Sequence, residues 1–255
     1  MKSGIGLGER GATFLRMLQV VSLLAVLAPI RGSSAIGGEG HVHGRVEILN
    51  PKVRLRGGQA DAGGVVVWLI PTMGEPERPV QPPRRKLEQR DKRFVPHVMA
   101  VEVGTEIDFP NHDPFFHNVF SVYDGKVFDL GLYANGESRP VRFDRPGVSY
   151  IFCNIHPQMS AVIVAVETPW FTVSGPDGGY AIKDVPPGEY RLRFWHERSD
   201  PRQTAALTRV VAIEASGADL GSVRLDETDY IAKPHLDKHG EEYESQRDLP
   251  TYRRP

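Results

Sequence analysis

The only cysteine of the chain lies in a segment that offers three metal-binding side chains within seven residues. Cys153, His156 and Met159 supply a thiolate, an imidazole and a thioether in the spacing Cys-x-x-His-x-x-Met. Sulfur ligands combined with imidazole favour copper among the first-row metals, and two His, one Cys and a weak axial Met form the type 1 electron-transfer geometry. The second imidazole must come from elsewhere in the chain. His117 is the best candidate, with His112 as its rival.

The N-terminus has the features of a secretory signal. Basic residues precede an apolar stretch at residues 17–30, which is short for a membrane span, and small residues follow it at Ser33-Ser34-Ala35. We therefore predict cleavage after Ala35 and a periplasmic or otherwise exported protein with no membrane span in its mature part. An uncleaved anchor is the alternative.

Export makes the single thiol of Cys153 unusual. One thiol cannot form an internal disulfide, and a free thiol in an oxidising compartment is a liability unless something holds it. Removing residues 1–35 takes away four basic groups and one acidic group, so the formal charge changes from −1 to −4. That balance argues against nucleic acid or an anionic membrane as the partner.

The rest of the chain predicts an all-β fold. It contains 26 Gly and 21 Pro, which suit many short strands joined by turns better than long helices. A weak helical period occurs only near residues 126–135. The predicted strands cover residues 43–49, 64–70, 116–122, 141–143, 149–153, 161–167, 171–173, 210–213 and 223–225, with alternating apolar residues also at 101–109, 180–182 and 190–194.

Residues 86–167 resemble the cupredoxins, the family of plastocyanin and amicyanin. The segment Cys153–Met159, with Pro157 after the histidine, most resembles the ligand loop of amicyanin. Asn111, followed after five residues by His117-Asn118-Val119, resembles the strand that carries the family's first ligand. Arg93-Phe94-Val95-Pro96 resembles an early strand of the family. The resemblance implies a Greek-key β-sandwich.

The same resemblance implies one type 1 copper ion and a role for each matching residue. His117, Cys153 and His156 would be the equatorial ligands, and Met159 the axial one. Asn118 would brace the two ligand loops and keep the thiolate hydrogen-bonded.

The resemblance also implies a route for the electron. His156 would lie near the surface as the electron port. Pro157, with Phe115 or Phe116, would form an apolar docking patch around it for a redox protein such as a cytochrome or a dehydrogenase.

A second resemblance flanks the first. Residues 171–195 resemble carboxypeptidase regulatory-like (transthyretin-like) domains, and residues 44–46 and 65–69 resemble the first two strands of such domains. We therefore expect a second, smaller β-sandwich formed by residues 40–75 and 168–226 and interrupted by the cupredoxin segment. The rival layout adds the first two strands to the cupredoxin sheet. Residues 227–255 are a charged tail that we expect to be extended or disordered.

The favoured function is single-electron transfer rather than catalysis. In multicopper oxidases a His flanks the thiolate ligand, whereas Phe152 and Asn154 flank Cys153 here. The alternative is a copper-binding protein without redox turnover, or a structural component of a cell-envelope complex.

Several other features carry weaker hypotheses. The basic run at residues 84–93 is either a solvated face or a docking surface for an acidic partner. His235 and His239 have the spacing of a metal pair but no third ligand nearby. We interpret His97 as structural, and Trp195-His196-Glu197 as packing.

Overall fold

The computed structural model describes residues 40–76, 81–122, 125–232 and 235–243. The prediction of an all-β fold is confirmed, whereas the predicted signal segment lies outside the described residues. One short helix accompanies seventeen strands in those ranges. The strands are β1 (Gly40–Leu49), β2 (Val66–Pro71), β3 (Arg85–Lys86), β4 (Glu88–Arg90), β5 (Arg93–Val95), β6 (Val98–Glu102), β7 (Glu106–Pro110), β8 (His117–Ser121), β9 (Phe128–Tyr133), β10 (Ser138–Arg142), β11 (Gly147–Cys153), β12 (Ser160–Val166), β13 (Phe171–Val173), β14 (Gly179–Val185), β15 (Gly188–Trp195), β16 (Arg209–Ile213) and β17 (Ala218–Asp226), and the helix is α1 (Pro201–Ala206).

Two sheets form the sandwich that carries the candidate ligands His117, Cys153, His156 and Met159. One has the strand order β6-β12-β11-β8-β9 and the other the order β10-β7-β3. Their facing side chains form one hydrophobic core, with Val119, Ile151 and Ile163 from the first sheet and Ile107 and Phe109 from the second. Antiparallel pairing joins β11 to both β8 and β12, so the ends of these three strands meet.

Two further sheets, β14-β1-β17 and β13-β2-β15-β16, enclose a second core. The strands of residues 40–71 pair with strands of residues 171–226, and not with the sheets that contain β6 to β12. A sandwich whose two halves are separated in sequence by residues 76–167 requires this pairing. The domain boundaries and the transthyretin-like assignment stay predictions.

The apolar runs of β2 and β12 are explained by a third cluster that lies between the two sandwiches. Along β12, Ile163 faces the first core while Val162 and Val164 face the third cluster; along β2, Val67 faces the second core while Trp68 faces the third cluster. Since side chains alternate along a strand, a strand buried on both faces is apolar throughout.

Two local expectations differ from the structure. The weak helical period at residues 126–135 is wrong, because residues 128–133 form β9, in which Phe128 and Leu130 turn toward the first core while Asp129 is more exposed. The helix α1 was not predicted. It is six residues long, and the carboxylate of Asp200 caps it by accepting the amide of Arg202. Among the described residues, no helix is long and apolar enough to cross a membrane.

Candidate metal centre

The ends of two paired strands bring the site together. His117 is the first residue of β8 and Cys153 the last residue of β11, and Cys153 pairs with Val119 across the ladder. The loop that follows is closed by its own backbone: the Cys153 amide donates to the Met159 carbonyl at 3.2 Å, and the Met159 amide to the His156 carbonyl at 2.9 Å. The thiol and the second histidine are thereby held on a short turn above His117.

Three ligand atoms converge in the interior of this turn. Cys153 Sγ lies 3.5 Å from His117 Nδ1 and 3.6 Å from His156 Nδ1. Within the described residues, His117, Cys153 and His156 are the one group of three or more His, Cys, Asp or Glu whose ligand atoms all lie within 4.8 Å of one another. A thiol sulfur with two imidazole nitrogens is the donor set that suits copper, so the residues present fit that ion.

Asp113, which the sequence interpretation missed, fixes the tautomer of His117. Its Oδ2 lies 2.9 Å from His117 Nε2, and both side chains are buried. A carboxylate held ionised can only accept, so the proton lies on Nε2 and Nδ1 is left free to face Cys153. Burial opposes ionisation, but the amides of Lys92 and Asp91 and the His117 ring hold the pKa of Asp113 below its ordinary value.

Both histidines are neutral at neutral pH. Burial lowers the pKa of His117, although Asp113 opposes the shift. Burial, with the positive charge that His117 would carry when protonated and the ammonium of Lys92, lowers the pKa of His156 to about 4. Neutral imidazole is the form that binds a metal ion, so the two side chains require no deprotonation at pH 7.

The thiol is held in a dry environment lined by backbone amides. Burial raises the pKa of Cys153, whereas the amides of Asn118, Ile155 and His156 act in the opposite direction. Such a thiol stays protonated on its own at pH 7, and a bound cation would stabilise the thiolate.

The other two residues that the sequence analysis assigned to the site are Met159, in the core, and Asn118, on β8. Met159 is fully buried in the same core cluster as Cys153. Asn118 connects the two ligand-bearing segments through its backbone, since its carbonyl accepts the Asn154 amide at 2.9 Å. Its side-chain amide donates instead to Asp129 on β9.

Aromatic and apolar groups lie around His156. The ring of Phe115 lies 5.3 Å from the ring of His117 and 5.4 Å from that of His156. Phe116 is 58% exposed, whereas Pro157 is half-buried. His156 keeps 8% of its surface accessible and His117 none, so His156 is the more exposed of the two imidazoles.

The other candidate histidines lie outside this group. His112 faces Glu88 at 3.8 Å on the surface. His97 connects the Ser160 carbonyl to Glu197, which agrees with a structural role. His235 stacks on Phe152 and His239 is exposed, so the two do not act as a pair here.

Part of the basic run forms ion pairs, and part of the tail packs against the rest of the chain. Arg84 pairs with Glu106 and Asp108, and Arg90 with Glu88, so two of the six basic side chains of the run are paired locally. The described part of the tail contains neither helix nor strand, but residues 235–243 pack against the ligand loop.

No protein-family model matches the chain, and no curated protein matches it. The solved structures that are similar include a copper-containing nitrite reductase from Thermus scotoductus (24% identity over 37% of this chain, TM-score 0.33) and a purple cupredoxin from Nitrosopumilus maritimus (25% over 30%, TM-score 0.28). A variant of amicyanin in its oxidised state is also similar (17% over 32%, TM-score 0.31). The match spans 25% of the nitrite reductase chain, 84% of the purple cupredoxin and 82% of amicyanin.

Proposed function

We propose that this chain is an exported cupredoxin-type protein that binds one type 1 copper ion and carries single electrons between redox partners. His117, Cys153 and His156 are the proposed equatorial ligands, and Met159 the axial one. The observation that carries the proposal is the convergence of one buried sulfur and two buried Nδ1 atoms within 4.8 Å. When bound, copper would supply a one-electron couple between Cu(II) and Cu(I).

The chain's own residues meet two requirements of such a site, which are neutral imidazoles and rigidity. Asp113 holds the ring of His117 with Nδ1 inward. The hydrogen bonds that join Cys153 to Met159 and Asn154 to Asn118 tie the loop to itself and to β8. A rigid, buried site needs little rearrangement when its charge changes, which favours fast electron transfer.

We propose His156 as the electron port. It is the more accessible imidazole, and Phe115 covers its ring beside the exposed Phe116 and the half-buried Pro157. One charge borders this patch, the Lys92 ammonium 5.3 Å from the centre of the Phe115 ring, so a second protein can approach with little desolvation of charge. The proposed partner is a redox protein such as a cytochrome or a dehydrogenase, and we propose no catalytic turnover because Phe152 and Asn154 flank Cys153.

Electron self-exchange tests this role, since it needs no identified partner. Mixing oxidised and reduced copper-loaded protein and following line broadening by NMR gives the rate at which two copies exchange an electron. Phe116→Glu places charge on both copies in the encounter, so we expect the rate to fall about tenfold or more. The matched control is Val127→Glu, whose side chain is 59% exposed, and its rate should change only slightly. Equal rates for the two variants would place the port elsewhere.

A further inference from the structure

The C-terminal segment packs against the back of the ligand loop. Residues 235–243, here called the C-terminal brace, come after β17 and reach the chain around Cys153 from about 80 to 90 residues away in sequence. Aperiodic, charged sequence of this kind usually remains solvated. Its contacts with one loop therefore require a specific explanation.

Tyr243 contacts the main chain of the thiol residue itself. Its hydroxyl donates to the Cys153 carbonyl at 2.8 Å. Burial raises the pKa of Tyr243, so the hydroxyl stays protonated and remains a donor. The amide of Cys153 is already bonded to the Met159 carbonyl, so Tyr243 adds a second fixed point to the same residue.

Lys238 connects the brace to the next residue of the loop. Its amide donates to Asn154 Oδ1 at 2.9 Å, and its ammonium pairs with Asp129 at 2.8 Å. Asp129 in turn accepts the side chain of Asn118, whose carbonyl accepts the Asn154 amide. The result is a closed ring of hydrogen bonds that joins brace, β9, β8 and ligand loop.

Ring stacking provides the third contact. His235 lies flat on Phe152, with centroids 4.1 Å apart and an interplanar angle of 21°. Tyr243 meets the same imidazole edge-on, with ring centroids 5.2 Å apart. The brace thus contacts Phe152, Cys153 and Asn154 in succession.

We propose that the C-terminal brace holds the Cys153 turn in its metal-binding conformation, with Tyr243 as a positioning residue for the thiol. The proposal rests on the proposed copper site, but the brace acts on the protein backbone and is expected before any metal binds. Loss of the Tyr243 hydroxyl should let the turn open more often. The buried sulfur is then more reactive in the metal-free protein and less well held in the copper-loaded one.

The test compares Tyr243→Phe with Tyr190→Phe in the full chain. Tyr190 is a matched control, because its hydroxyl also donates to a main-chain carbonyl, that of Pro186 at 2.8 Å, but within the other sandwich. In metal-free protein under native conditions, a chromogenic disulfide reagent reports the rate at which the Cys153 thiol reacts. We expect Tyr243→Phe to raise that rate about fivefold, the effect of one hydrogen bond on a local opening equilibrium, and Tyr190→Phe to change it by less than about twofold. In copper-loaded protein, Tyr243→Phe should also broaden or shift the thiolate-to-copper absorption band.

The two readouts separate the brace from the copper site. If the wild-type protein binds no copper but the thiol of Tyr243→Phe reacts faster, the brace stands and the copper proposal fails. If copper binds and both variants match the wild-type protein in thiol reactivity and spectrum, the brace is overturned while the copper site stands.

Discussion

At the scale of single residues, some side chains of the site can be predicted from a local sequence pattern, whereas others cannot. Cys153, His156 and Met159 lie within seven residues, so a local pattern reveals them together. His117 needed the resemblance to a family strand, because its distance from Cys153 in sequence says nothing of their separation in space. Asp113 was missed, because only the turn made by Asn111, which accepts the Asp113 amide, brings the carboxylate to the ring.

Asp113→Asn tests the orientation of His117. Oδ2 of Asp113 accepts hydrogen bonds from the His117 ring and from the Lys92 amide. An NH₂ group at the position of Oδ2 would therefore face two donors. We expect copper affinity, measured by competition with a chelator, to fall about 10- to 100-fold. Asp144→Asn is the control, since that carboxylate is exposed and pairs with Lys126. Equal affinities for the two variants would show that Asp113 does not orient the ligand.

At the scale of elements, alternation and continuous apolar runs predicted most of β1, β2, β8, β11 and β12 to within a few residues. The pattern near residues 126–135 misled because the pairing of β9 with β8 shifts register, so that Leu132 is exposed and Tyr133 is buried after Phe128 and Leu130. The C-terminal brace could not be predicted, because each of its contacts depends on tertiary structure and none repeats along the chain.

The His97–Glu197 pair joins elements of both sandwiches and should give stability a pH dependence. His97 precedes β6 and is not one of the proposed metal ligands, and Glu197 follows β15. His97 Nε2 and Glu197 Oε2 lie 2.7 Å apart. The hydrogen bond to Glu197 raises the pKa of His97, against burial. Because the pKa of His97 is higher in the folded than in the unfolded protein, its protonation stabilises the fold. This stabilisation is fully present below the unfolded-state pKa of about 6.5 and is lost as pH rises through the folded-state pKa. Burial would raise the pKa of Glu197, but the hydrogen bond from His97 lowers it. The stabilisation by ionised Glu197 is therefore lost as pH falls through its folded-state pKa.

Urea unfolding of His97→Gln at two pH values measures this contribution. We expect the deficit in unfolding free energy relative to wild type to be larger at pH 5.5 than at pH 8.5. The other buried histidines are present in both proteins and cancel in the difference. His43→Gln is the control, since His43 is 3.8 Å from Asp219 on the surface. A deficit independent of pH would mean that His97 contributes by packing alone.

At the scale of the whole molecule, the described chain stacks two sandwiches back to back. Three apolar layers result, and β2 and β12 are each buried on both faces. The apolar runs in sequence indicated buried strands, but they could not say what covers each face. Val66 and Trp68 of the second sandwich pack with Val164 of the first in the cluster that lies between them.

The central claim is that His117, Cys153 and His156 hold redox-active copper, and a visible absorption spectrum tests it most directly. Residues 36–255 are titrated with Cu(II), in parallel with Cys153→Ser. The account predicts an intense blue, purple or green thiolate-to-copper band at one equivalent, bleached by ascorbate, restored by an oxidant and absent in the variant. A colourless protein, or a spectrum that Cys153→Ser leaves unchanged, would contradict it.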